Sequence, residues 1–223
     1  MSFKYGPRKE VRANRMRFLR SLGARFDECV AMSVNDADSI RRVRVKQKGR
    51  GMRIPEDAVK ADAFITDEKG LFLFLFTADC LPIAYLDPRT RAVALAHLSF
   101  KSSRENLASK VVLRMREEFG TDVSELLVRI GPGVHKNSYV KKISDIPRSS
   151  RWKRFTDKVS SEEAKIDLIG YNREDLLAAG VRARHIHIDD IDTAATSGKY
   201  FSHRRSVRIG EPERRFATVI GIR

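Results

Sequence analysis

The sequence predicts an α+β fold, and three observations carry that expectation. Strand-like segments crowd residues 61–97, joined by Glu68-Lys69-Gly70 and Asp87-Pro88-Arg89, connections too short for parallel crossovers. Amphipathic helical patterns lie outside that block, at residues 11–22, 103–119 and 167–180. Leu71 to Phe76 is apolar without interruption, so as a strand it needs cover on both faces. This grouping favours α+β over a doubly wound sheet. The chain has 223 residues with no linker, repeat or low-complexity segment to divide it, which points to one domain over residues 1–223.

Val11, Phe18, Leu19 and Leu22 share one helical face, with Pro7 and Gly23 as start and stop signals and a basic outer face. Cys29 to Val34 and Ile40 to Lys46 read as short strands around the turn-prone run Asn35-Asp36-Ala37-Asp38, and Lys48 to Arg53 as a loop. Four strands follow: Ala61 to Thr66, Leu71 to Thr77, Leu81 to Leu86 and Arg91 to His97. A helix is expected over Ser103 to Phe119, closed by Gly120, then a strand over Leu126 to Ile130 ending at Gly131-Pro132-Gly133, most simply a tight turn. An irregular stretch, His135 to Lys158, holds the only tryptophan, Trp152. A helix over Asp167 to Gly180 and strands over His185 to Ile188 and Phe216 to Ile222 complete the chain.

Composition removes several classes of function. The longest apolar run has six residues, far short of the about 20 that span a bilayer. No apolar stretch follows the basic N-terminus, so it does not read as a secretory signal, and two cysteines are too few for a disulfide framework. A cytoplasmic setting fits these facts. The net charge of +15 invites a nucleic-acid reading. Residues 61–98, however, are slightly acidic, and no zinc-finger spacing, RNA-binding aromatic signature or lysine-rich tail is present, so specific nucleic-acid binding is not expected.

Common cofactor and hydrolase motifs are missing: no dinucleotide fingerprint, P-loop, H-E-x-x-H, C-x-x-C or G-x-S-x-G. What stands out is Thr77-Ala78-Asp79-Cys80-Leu81-Pro82 at the end of the most apolar strand, followed by His97 at the end of another. Strand ends can hold side chains rigidly and still leave them accessible. A thiol and an imidazole so placed suit a nucleophile with its base, or two ligands of a soft metal; equally, both residue types occur as ordinary core and hydrogen-bonded structure. Tyr200 to Arg205 forms an aromatic and basic cluster expected in a loop, where adjacent arginines can hold a phosphate or carboxylate. If that segment is extended, Arg204 and Arg205 point to opposite sides. His185 and His187 alternate along one expected strand, a spacing that some metal sites share with ordinary strands.

In order, Ala61 to Thr66, Thr77 to Pro82, Ala96-His97, Ile130 to Gly133 with Tyr139-Val140, Asp192-Thr193 and Phe201 to Arg205 resemble the successive signatures of the laccase-domain family, also called the multicopper polyphenol oxidoreductase or YfiH-like family. Asn14-Arg15 with Phe18-Leu19 suits that family's first helix, and the chain begins without the family's preceding arm. The resemblance implies a layered sandwich of mixed β-sheets flanked by helices. It also implies purine nucleoside phosphorolysis together with adenosine deamination, and a zinc held by two histidines and one cysteine. Cys80 and His97 match two of those ligands, and a zinc with an open position would activate water or polarise substrate.

The departures are specific. Asn35 stands at the position of the family's first zinc histidine, and asparagine is a poor zinc ligand, so zinc is weakly supported. Leu98 to Ser102 replaces a glycine-containing Ala-Gly-Trp-Arg-Gly segment, and Asp192 replaces a frequent cysteine. The expectation is therefore an enzyme acting on a purine nucleoside and phosphate. Asp79, Cys80 and His97 are its catalytic candidates, with Asp79 able to orient His97 or move a proton. Lys101, Arg204 and Arg205 are the substrate and phosphate ligands. Two alternatives stay open: a non-catalytic relative that keeps the fold and a nucleoside pocket, and a metal-free hydrolase in which His97 activates Cys80.

Overall fold

Pro7 and Gly23 bracket the first helix as their backbone preferences require, and α1 runs Arg8–Ser21 with Gly23 at φ 65° beyond its end. The computed structural model describes residues 1–35 and 37–223; Asp36, part of the turn-prone run, lies outside the described residues. After α1 come β1 (Cys29–Ser33), β2 (Ile40–Arg42), β3 (Val59–Lys60), β4 (Ala63–Thr66), β5 (Phe72–Thr77), β6 (Leu81–Leu86) and β7 (Val93–Leu98). Next are α2 (Phe100–Arg104), α3 (Leu107–Phe119), β8 (Leu127–Ile130), β9 (Val140–Lys142), α4 (Ser150–Arg154), β10 (Thr156–Lys158) and β11 (Glu163–Ile166). The chain closes with α5 (Leu168–Ala178), β12 (Ile186–Ile188), α6 (His203–Ile209) and β13 (Phe216–Gly221).

These strands form a four-stranded sheet in the order β13-β5-β1-β3, a six-stranded sheet in the order β12-β8-β6-β7-β4-β2, and a three-stranded sheet in the order β10-β11-β9. The two larger sheets are mixed: β1 runs parallel to β5, whereas β13 pairs antiparallel with it, and β6, β7 and β4 are antiparallel neighbours. The fold is the α+β sandwich of mixed sheets and flanking helices.

Side-chain alternation explains the layering. Leu73 and Leu75 of β5 and Val30 and Met32 of β1 meet Phe64 of β4 and Val93 and Leu95 of β7 between the sheets. The opposite face of β5, with Phe72 and Phe74, packs against Leu19 of α1. Ala94, Ala96 and Leu98 on the other face of β7 join Ile83 and Tyr85 of β6 under Val111 and Met115 of α3 and Leu176 of α5. Thus β5 is covered on both faces by a helix and by a second sheet, as its uninterrupted apolar sequence requires.

Several local expectations are corrected. The helix over 103–119 is two helices, because Asn106 adopts the left-handed region at φ 55° and accepts bonds from Arg151 and the Tyr171 hydroxyl. The strand from Ile40 stops at Arg42, and Val45–Gln47 is a 3-10 turn. The irregular stretch contains β9, α4 and β10. His185 ends a 3-10 turn, so only His187 belongs to a strand, where it is exposed. Residues 203–209 are helical, capped by the Ser202 hydroxyl accepting from the Arg205 N–H.

Arg15 also departs from the basic outer face expected for α1. It is 1% exposed, stacks 4.1 Å from the Phe3 ring centroid and 4.5 Å from that of Phe76, and donates to the carbonyls of Met1, Gly51 and Met52. Burial lowers its pKa to about 10. Among the described residues, no helix is long and apolar enough to cross a membrane.

Truncating the inter-sheet core should be costly. Leu73→Ala is expected to reduce unfolding free energy by about 3 kcal/mol in urea titrations, whereas Met16→Ala, at an exposed position, should change it by less than about 0.5 kcal/mol.

Candidate functional site

The chain passes from one large sheet to the other through Thr77-Ala78-Asp79-Cys80-Leu81, since β5 belongs to the four-stranded sheet and β6 to the six-stranded one. Asp79 makes the corner with a left-handed backbone, φ 80°. That conformation is unfavourable for a non-glycine residue and needs compensation from its surroundings. Its buried carboxylate supplies it. One oxygen accepts from the Thr193 hydroxyl at 2.7 Å and the other from the Arg204 backbone N–H at 2.8 Å. The Asp79 carbonyl accepts from Val134 N–H at 2.8 Å. Gly133 leaves room beside it, because a Cβ there would lie 2.3 Å from the Leu81 Cδ2 and 3.1 Å from that carbonyl oxygen.

Cys80 and His97 both lie at the same end of the β6–β7 ladder. Pro82 is the direct cross-strand partner of His97, and Cys80 lies two residues before Pro82. His97 shares the inter-sheet face of β7 with Val93 and Leu95 and is 7% exposed, while Cys80 is half-buried. The His97 N–H donates to the carbonyl of Asp62 at 2.8 Å. The fully buried Asp62 carboxylate accepts in turn from the backbone N–H groups of Asn35 and Ser39 and from the Ser39 hydroxyl. Asp62 therefore fixes the loop leaving β1 against the strand that bears His97.

Tyr139 completes the corner. It is 8% exposed; burial raises its pKa, the neighbouring Cys80 and Asp79 raise it further, and Arg204 opposes them. The Arg204 guanidinium lies 4.3 Å from the Tyr139 ring centroid. Arg205 faces inward instead. It donates to Glu211 and to the carbonyls of Thr193, Thr196 and Tyr200. Four of its five donors are thereby committed within the protein.

Lys101 is exposed on the first turn of α2. His203 is exposed and paired with Glu213 at 2.8 Å, and His135 is half-buried where the 3-10 turn Lys136–Ser138 begins. The second cysteine, Cys29, is a core residue whose thiol burial pushes up to about 12. Sequence reasoning assigned no role to Asp62, Tyr139 or Thr193. Their only signal was membership of the segments that carry the family resemblance.

A family model described as multi-copper polyphenol oxidoreductase laccase matches residues 4–223. The chain belongs to this family. Purine nucleoside phosphorylase YlmD of Geobacillus stearothermophilus is 29% identical over 208 residues, which cover 89% of this chain and 74% of that protein. Its crystal structure superposes with a TM-score of 0.91 at 28% identity, covering all of this chain and 84% of that one. The YlmD of Bacillus subtilis is 28% identical over 74% of this chain, and the match spans 62% of the relative's length. A prokaryotic protein named adenosine deaminase RL5 is 26% identical over 86% of the chain and 75% of its own length.

Of the three zinc-ligand positions that the resemblance implies, Cys80 and His97 carry residues able to bind zinc, whereas the third is the exposed Asn35, a poor zinc ligand. Among the described residues no group of three or more His, Cys, Asp or Glu side chains is arranged to hold a metal ion. Asn35→His is accordingly expected to raise the zinc bound per chain in elemental analysis of protein purified without a chelating tag. Asp79→Asn removes one acceptor of the corner and should lower stability by about 2 kcal/mol in urea unfolding. Iodoacetamide should modify Cys29 only after denaturation, as followed by peptide mass.

Proposed function

We propose that the protein processes purine nucleosides by phosphorolysis at the corner formed by Cys80, His97, Tyr139 and Arg204. The observation that carries this reading is the placement of Arg204: its backbone is held by the Asp79 carboxylate while its guanidinium rests on Tyr139 beside Cys80. Phosphorolysis needs a cation of fixed geometry to hold phosphate against the sugar, and an arginine fork on an aromatic face is suited to it. The names of the YlmD relatives support the same reaction class.

In this proposal a phosphate oxygen bonds to the sugar C1′ as the bond from C1′ to the purine nitrogen breaks. The released electron pair passes to the purine, and His97 relays to the departing purine nitrogen the proton that the attacking phosphate loses. Arg204 and the exposed Lys101 attract phosphate, and Cys80 lies against the reacting groups as a polar wall. Asp79 acts as a positioning residue, because both its oxygens already accept hydrogen bonds. Arg205 supports the loop under the site rather than the ligand. Asn35 favours a second reading, a nucleoside-binding relative without turnover, because it removes a metal ligand from the family's pattern. Adenosine deamination, the activity in the name of RL5, is the other product to measure.

The test is release of purine base from adenosine, inosine and methylthioadenosine with and without phosphate, and of ammonia from adenosine. Arg204→Ala is expected to lower phosphate-dependent kcat/KM by about a hundredfold with the fold intact. Arg205→Ala should instead destabilise the chain by about 3 kcal/mol, through the carbonyls and carboxylate it leaves unpaired. Unchanged phosphorolysis in Arg204→Ala would remove the phosphate role. Saturable nucleoside binding without base release from the wild type would establish the non-catalytic reading.

A further inference from the structure

The segment containing the three-stranded sheet carries nine basic side chains between residues 136 and 165, and they fall into two groups. Five have partners: Lys136 with Asp157, Lys141 with Asp145, Arg151 with Asp175 and Glu174, Arg154 with Glu174, and Lys165 with the Asn137 side-chain carbonyl. The other four, Lys142, Arg148, Lys153 and Lys158, form no ion pair or side-chain hydrogen bond among the described residues. All four are exposed and line one groove of about 690 Å³. Its lining includes a single carboxylate, Glu162, and its floor is apolar, with Ile143, Ile146 and Pro147. Ile143 is 37% exposed.

We infer that this groove docks an extended acidic segment of a partner protein, with carboxylates on the four cations and apolar side chains on Ile143, Ile146 and Pro147. The division of the cations is the first argument. Where carboxylates of this chain lie nearby, the basic groups outside the groove use them, while those lining it converge on open space and leave an uncompensated positive field. The mixed lining is the second. A peptide strand places successive side chains on opposite sides, so it can satisfy cations and an apolar floor together. A single-stranded nucleic acid would use aromatic platforms for its bases, and the lining holds none. A second copy of this chain, at net charge +15, would be repelled. Both β10 and β9 are outer strands of their sheet, so extended chain can also lie along them.

The test uses fluorescence anisotropy with a labelled synthetic peptide of alternating Glu and Leu. Binding should weaken as salt is raised, and should fall at least about tenfold in the quadruple variant Lys142→Ser, Arg148→Ser, Lys153→Ser and Lys158→Ser. A control removes the same charge elsewhere, at the exposed Lys9, Arg20, Lys46 and Lys60, and should stay within about twofold of wild type. Circular dichroism melting of both variants confirms the folded state. Equal weakening in the two variants would reduce the effect to net charge and overturn the docking site. Equal binding of a Glu and Ser peptide would remove the apolar floor from recognition and overturn it as well. Tighter binding of an oligouridylate through the same four side chains would replace the acidic partner with a nucleic acid.

Discussion

One carboxylate organises the candidate site. Asp79 bridges three stretches of chain that are remote in sequence, the β5–β6 corner, the loop at Thr193 and the start of α6. A buried carboxylate that accepts from a hydroxyl and a backbone N–H is held by bonds stronger than neutral ones, and a low-dielectric surrounding makes each partner hard to lose. The left-handed backbone at Asp79 is tolerated because these bonds fix the turn from both sides. Arg204 and Tyr139 take their places around that fixed turn. Movement of the corner would therefore displace the cation, the phenol and the thiol together.

The sandwich explains why the corner sits where it does. β5 and β7 are each buried on both faces, so neither can expose a reactive group along its length. Only where the strands end does the inter-sheet layer open, and His97 occupies the last inward position of β7 beyond Val93 and Leu95. The loop leaving β1 closes the same end through Asp62, which joins the position of Asn35 to that of His97. Rigid sheets thus deliver side chains to the edge where the strands end.

The features legible in the sequence were those written in long, regular patterns. α1, the strands from Ala63 to Leu98 and the doubly buried β5 follow from periodicity and from Gly and Pro punctuation. Cys80 and His97 were visible as residue types at strand ends, and the register of Pro82 with His97 sets both at the same end of the β6–β7 ladder. What escaped notice depends on contacts distant in sequence. The short helix α6 relies on the Ser202 cap and on anchoring of Arg204 and Arg205, so its sequence alone resembles a basic loop. Arg15 looks like surface charge until Phe3, Phe76 and the carbonyls of Gly51 and Met52 enclose it. Tyr139 and Thr193 gain meaning only from what the fold sets beside them.

The antiparallel pairing of β13 with β5 has a consequence for biosynthesis. Phe72 to Thr77 leaves the ribosome long before Phe216 to Gly221, with residues 78–215 translated between them. During that interval one edge of an almost wholly apolar strand has no partner, and such an edge readily recruits other chains. The nascent protein is therefore most vulnerable to aggregation after most of its mass has been made. Slow translation of the last third of the message would prolong that exposure, and a holding chaperone would protect the chain chiefly by shielding this strand until its final neighbour arrives.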